Sequence, residues 1–153
     1  CSRDWSSDVC SSDLAQMLDA VLSHLDAATM IIKAAAVADY HRADVPTQKM
    51  KKSGARLSIE LEPTIDILAE VGKRKGSRFL IGFAAETDNL VAEAKRKLET
   101  KNCDMVVANL ATQAFDSNDN AVTLVRKSGA TVDIAKASKL EVAHKIYDQA
   151  LQK

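Results

Sequence analysis

Three apolar runs in this chain end in the same way. "MIIKAAAVAD" at 30–39, "RFLIGFAAET" at 78–87 and "CDMVVANL" at 103–110 each pass from bulky apolar residues into small ones. A strand covered on both faces has no polar alternation, so each run is expected to be a buried strand of a parallel sheet, the first of them apolar from Met30 to Ala38. Amphipathic segments lie between them. "IDILAEVGKRK" reads as a helix started at Pro63-Thr64, and "DNLVAEAKRKLETKN" puts Leu90, Val91, Ala94 and Leu98 on one helical face.

The flanking segments complete the plan. Ala15 to Asp26 spaces Met17, Leu18, Val21, Leu22 and Leu25 as an amphipathic helix. Tyr40 to Gln48 reads as a polar loop ahead of the basic cluster "KMKK" at 49–52. "RLSIELEPT" alternates Leu57, Ile59 and Leu61 with polar residues, the pattern of a strand with one wet face. Beyond the turn-rich "FDSNDN", "AVTLVRKSGATVDIA" predicts a hairpin around Ser128-Gly129, and "SKLEVAHKIYDQALQK" a closing helix. Alternating strands and helices predict an α/β domain with a mainly parallel sheet.

Ligands of such sheets bind beyond the carboxyl ends of the strands, which directs attention to "AAAVAD", "GFAAET" and "VANL". The chain contains no nucleophile elbow, Walker loop or Gly-x-Gly-x-x-Gly, and only five glycines. Alanine-rich turns let backbone amides approach a ligand. Together with Asp39, Glu86 and the basic cluster, they suggest a nucleotide or phosphate site. His24, His41 and His144 are scattered and form no recognisable metal set, so metal ligands are left unassigned.

Composition narrows the partners. With 21 basic and 21 acidic residues the chain is neutral, which argues against a broad nucleic-acid footprint. No apolar run approaches the roughly 20 residues of a membrane span. The opening segment "CSRDWSSDVCSSDL", residues 1–14, has neither helical nor strand periodicity. Its part from Asp4 to Leu14 resembles one translated frame of a common short-read sequencing adapter. Residues 1–14 are therefore expected to be a disordered artefact, and residues 15–153 the domain proper. Without that segment only Cys103 remains, as a small buried side chain, which favours a reducing, cytoplasmic setting.

Read in order, "AAAVADYHRADVPTQKMKK", "PTIDIL", "GFAAETDNL", "DMVVAN", "FDSNDNAVTLV" and "SKLEVAHKI" resemble bacterial phosphopantothenate-cysteine ligase over Ala15 to Lys153. The resemblance implies a Rossmann-like three-layer domain with a C-terminal β-hairpin. Its first strands and Gly-Gly-Thr turn are missing here, so a truncated ligase domain, inactive alone, is expected. It also implies a cytoplasmic, CTP-dependent enzyme of coenzyme A biosynthesis that joins 4′-phosphopantothenate to cysteine through an acyl cytidylate. Mg2+ is an expected cofactor, and FMN would belong to a decarboxylase half that precedes the ligase in many bacteria. A homodimer through the "KMKK" region and the strand "LSIELE" is implied, with no nucleic acid and no membrane.

Carried onto this sequence, the resemblance makes Lys49 the catalytic lysine that grips the triphosphate. Ala35 would line the nucleotide pocket, Asp39 would meet the ribose or a metal ion, and Phe83 would pack on the cytosine. Lys97 and Lys101, four apart, would share a helical face and reach the same phosphates. Ile65, Asp66, Ile67 and Leu68 align with a nucleotide-touching element in which Ile65 replaces a frequent proline, leaving Asp66 as the helix N-cap. Asn109 and Asn120 match family asparagines. The competing expectations are a non-catalytic nucleotide-binding fragment and a dinucleotide-dependent oxidoreductase domain.

Overall fold

Why the chain builds one packed sheet follows from the three apolar runs, each of which becomes a strand. The computed structural model describes residues 11–43, 56, 58–110 and 118–152. Its elements are α1 (Ser11–His24), β1 (Met30–Lys33), β2 (Tyr40–Arg42), β3 (Leu61–Pro63), α2 (Ile67–Arg74) and β4 (Phe79–Glu86). They continue with α3 (Leu90–Thr100), β5 (Met105–Leu110), β6 (Asp119–Arg126), β7 (Thr131–Ser138) and α4 (Lys139–Leu151).

Five strands form a sheet in the order β1-β4-β5-β6-β7, and β2 and β3 form a separate ribbon. The first three strands run parallel, while β5, β6 and β7 pair antiparallel. Side-chain alternation divides the core into two layers. On one side Leu80, Ala84, Val106 and Ala108 meet α1, α2 and α3 through Leu14, Ile67, Leu68, Val71, Ala94 and Leu98. On the other, Ile81, Met105, Val107, Leu124 and Ile134 meet α4 through Val142, Ile146 and Ala150. The expected three layers are present.

The C-terminal prediction holds closely. Gly129, at φ +90°, turns the β6–β7 hairpin, and Ser138 ends β7 while capping α4 in a reciprocal capping box with Glu141. None of the helices in the described residues is long and apolar enough to cross a membrane.

Four expectations change. The first helix begins at Ser11, and Leu14 is buried against the α2 side of the core, so Ser11–Leu14 are helical where disorder was expected. Residues 1–10 lie outside the described set. The Met30–Ala38 run is a strand only as far as Lys33, and it is not buried on both faces: Ile32 is 47% exposed, because β1 is the edge of the sheet. Tyr40–Arg42, read as loop, pairs with Leu61–Pro63 instead. Among the described residues the "RLSIELEPT" strand shrinks to those three and shows no dry face, with Ile59 54% and Leu61 58% exposed.

Candidate functional site

β1 leaves the sheet at Lys33, the residue paired with Gly82 of β4. The Phe79 N–H donates to the Thr29 carbonyl at 3.1 Å, so the peptide groups of Phe79 face β1. By the two-residue alternation of a strand, those of Ile81 and Phe83 face it too. Beyond Lys33 no strand residue remains to meet the Phe83 carbonyl. The vacancy is filled from α3, where Lys97 Nζ donates to that oxygen at 2.8 Å. Leaving such a partly buried carbonyl unpaired would cost about 1–3 kcal/mol. On the departing chain, Lys33 Nζ donates to the Ala35 carbonyl at 2.9 Å. The gap between β1 and β4 therefore holds an ammonium on each side.

A third lysine comes from the end of α3. Lys101 is the residue that caps this helix, and its Nζ lies 2.7 Å from Asp66 Oδ2. Asp66 is the N-cap of α2, accepting the Ala69 N–H at 2.8 Å, so one carboxylate serves both the helix and the lysine. The approach of α3 to α2 needs a glycine. A Cβ on Gly72 would lie 2.0 Å from the Lys101 carbonyl oxygen, and Asn102 Nδ2 donates to the Gly72 carbonyl at 2.9 Å.

These charges sense one another. Burial weighs against ionised Asp66, but hydrogen bonds from Lys101 and the Ala69 amide, with the charges of Lys101 and Lys33, hold the carboxyl below its ordinary range. Burial lowers Lys33, Asp66 opposes it, and neighbouring Lys97 adds to the lowering, with Asp39 opposing again. Lys33, Asp66 and Lys97 therefore form one electrostatic cluster, joined to Lys101 through Asp66. Three cations against Asp66 and Asp39 leave a net positive charge at this end of the sheet, which favours an anion.

The expected site residues divide accordingly. Lys97 and Lys101 do converge on the cluster, but on separate partners, Phe83 and Asp66, and Lys101 follows α3 rather than lying within it. Asp66 is the N-cap that was expected. Ile67 and Leu68 are 1% and 5% exposed, so their side chains belong to the core and only their backbone faces the start of α2. Ile65 is exposed beside them. Ala35 and Asp39 are exposed on the segment that follows β1, and the Asp39 carbonyl accepts the Thr64 N–H at 2.8 Å. Phe83 packs with the α4-side layer, on the face of the sheet opposite the residues that meet α3. Lys49, with Lys51 and Lys52, lies outside the described residues.

Asn109 is buried near the end of β5, and among the described residues buried Asn120 Oδ1 has no hydrogen-bond partner. Cys103 is fully buried, as expected, and burial pushes its thiol up to about 11. The residue that sequence reasoning missed is Lys33. Its signal was visible: a single lysine inside an otherwise apolar strand, at the carboxyl end where such sheets bind ligands.

The model of the DNA/pantothenate metabolism flavoprotein C-terminal domain matches residues 7–153, starting inside the segment that resembles an adapter. The coenzyme A biosynthesis bifunctional protein CoaBC of Bacillus subtilis (strain 168) is 41% identical over 138 residues, covering 88% of this chain and 34% of that protein. The protein of the same name from Haemophilus influenzae (strain ATCC 51907 / DSM 11121 / KW20 / Rd) is 42% identical over 127 residues, covering 81% and 32%. The chain thus spans about a third of the length of these curated relatives. Among solved structures, the C-terminal domain of a coenzyme A biosynthesis bifunctional protein CoaBC superposes with a TM-score of 0.71 at 41% identity, covering 88% of this chain and 59% of that one.

Proposed function

The chain belongs to the family of the DNA/pantothenate metabolism flavoprotein C-terminal domain, and on that premise we propose that it carries the nucleotide-binding part of a phosphopantothenate-cysteine ligase. The reaction joins 4′-phosphopantothenate to cysteine at the expense of CTP. The phosphopantothenate carboxylate attacks the α-phosphorus and expels pyrophosphate; the cysteine amine then attacks the acyl carbon and expels CMP. A carboxylate oxygen leaves poorly and CMP leaves well, which is why the acid is activated first. The protein must hold the triphosphate, balance charge on the departing pyrophosphate and shield the mixed anhydride from water.

The observation that carries this reading is the convergence of Lys97 and Lys101 on the strand exit and the α2 N-cap. In the proposal these lysines and Lys49 hold the triphosphate, with Lys49 promoting attack. Because Phe83 lies on the opposite face of the sheet, the nucleotide straddles the edge that β1 leaves open, its base toward Phe83 and its phosphates toward α3. Asp66 and the segment around Ala35 frame the opening.

Among the described residues no three His, Cys, Asp or Glu side chains converge as a metal cluster. Mg2+ is commonly held by one or two carboxylates together with substrate phosphates, a demand that exposed Asp39 fits. When bound there it would supply charge neutralisation on the triphosphate.

The ribbon supports a second-copy contact. Tyr40, Ile59 and Leu61 are exposed apolar residues on or beside β2 and β3, and an isolated two-stranded ribbon is marginal in water. We read it as the homodimer surface, testable by light scattering on Leu61→Glu.

The test of function is pyrophosphate release from CTP on adding phosphopantothenate, read with a full-length ligase that contains this segment, and its loss there in Lys49→Gln. Release that is independent of phosphopantothenate, or undiminished in that variant, overturns the assignment. CTP binding without release would reduce it to nucleotide binding.

A further inference from the structure

We infer that Lys33 is a further ammonium ligand of the bound polyphosphate, set opposite Lys97 across the gap where β1 leaves the sheet; the inference rests on the nucleotide-binding reading above. The two lysines are arranged alike. Each ammonium is tethered to one backbone carbonyl at the strand exit, Lys33 to Ala35 and Lys97 to Phe83, at 2.9 and 2.8 Å. An ammonium carries three N–H donors. Among the described residues one donor of each ammonium is used on its carbonyl, which leaves the others for a ligand oxygen in the gap.

The local structure gives Lys33 no sufficient task of its own. Ala35 is exposed, so water can satisfy its carbonyl. Half-burying an ammonium sacrifices hydration, and placing it near the like charge of Lys97 adds repulsion. The contrast with Lys97 is informative, because the Phe83 carbonyl at the strand edge has lost its strand partner and needs a donor. A polyphosphate entering the gap would turn the Lys33–Lys97 repulsion into two attractions, each a charge-assisted hydrogen bond. Asp66 lies near enough to favour the charged form of Lys33 while the site is empty of phosphate.

Direct binding distinguishes this role from a structural one. Titration of the chain with inorganic tripolyphosphate, CTP and cytidine is compared with Lys33→Met and Lys33→Arg. Lys33→Met is expected to weaken tripolyphosphate and CTP about tenfold and to leave cytidine within about twofold, as loss of one charge-assisted contact predicts. Lys33→Arg should recover most of the loss. Equal weakening of cytidine and tripolyphosphate, or unchanged tripolyphosphate binding in Lys33→Met, overturns the inference.

Should Lys33→Met fail to fold, the Lys33 ammonium resonance of the unaltered chain serves instead. It is expected to shift with tripolyphosphate and not with cytidine, and an unmoved signal overturns the assignment. Tripolyphosphate binding that depends on Lys33, without preference for CTP over ATP and UTP, would refute the cytidine-nucleotide reading and leave the phosphate role of Lys33 standing.

Discussion

Lys75 Nζ lies 2.6 Å from Asp104 Oδ2, and the same oxygen accepts the Leu80 N–H at 2.7 Å. One carboxylate therefore ties the residue that ends α2 to the start of β4 and to the turn before β5. With its side chain 7% exposed, Lys75 has little water to fall back on. Asp104→Ala is expected to cost about 2–4 kcal/mol, since it strands a buried ammonium and orphans a strand amide. Urea unfolding measures the loss; a cost under about 1 kcal/mol would show the pair to be solvated.

Asp66 links stability to pH. Its folded carboxyl lies below the ordinary value of 3.8, so its contribution is present above that value and is lost as pH falls through the folded one. Asp66→Ala should cost about 1 kcal/mol at neutral pH by removing the cap. Asp66→Asn keeps an acceptor for the Ala69 N–H but not the charge. It should therefore cost less at neutral pH and flatten the decline below about pH 4, measured as urea midpoints across pH.

Gly72 and Gly82 test where space is scarce. A Cβ on Gly72 meets the Lys101 backbone oxygen, whereas on Gly82 it meets a Leu68 methyl at 2.9 Å. Backbone yields less readily than a side-chain tip. Gly72→Ala is expected to cost about 3 kcal/mol or more and Gly82→Ala about 1–2, by thermal unfolding. Gly72→Ala should also weaken tripolyphosphate binding, because it moves Lys101 from Asp66.

Cys103 should resist thiol reagents in the folded chain. Burial, aided by nearby Asp104, keeps its thiol protonated up to about pH 11, so at pH 8 little thiolate exists and none is accessible. In a Cys1→Ser, Cys10→Ser background, labelling is expected to follow unfolding, and its rate should rise with urea as global stability falls. Rapid labelling without denaturant would contradict this burial.

The central strands were legible because β4 and β5 really do have neighbours on both sides, which an unbroken apolar run implies. β1 carried the same signal but lies at the edge, and periodicity cannot report which strand stands outermost. β2 escaped because three residues are too few to display alternation. At the site, the Asp66 cap was visible from adjacent residues. Lys33 stood out only as a lone lysine in an apolar run; its meaning depends on Lys97, which the parallel pairing of β1 with β4 brings near.

The hairpin has a kinetic consequence. β6 and β7 meet across a tight turn, and β7 runs straight into α4, so these contacts are local in sequence. By contrast, β1 must find β4 by pairing residue 30 with residue 79, which closes a far longer loop. Folding should therefore begin at the C-terminal half and finish with the docking of β1. Lys33 reaches Lys97 only in that final step, which makes the proposed anion cradle the last part of the molecule to assemble and the first to be lost when β1 detaches.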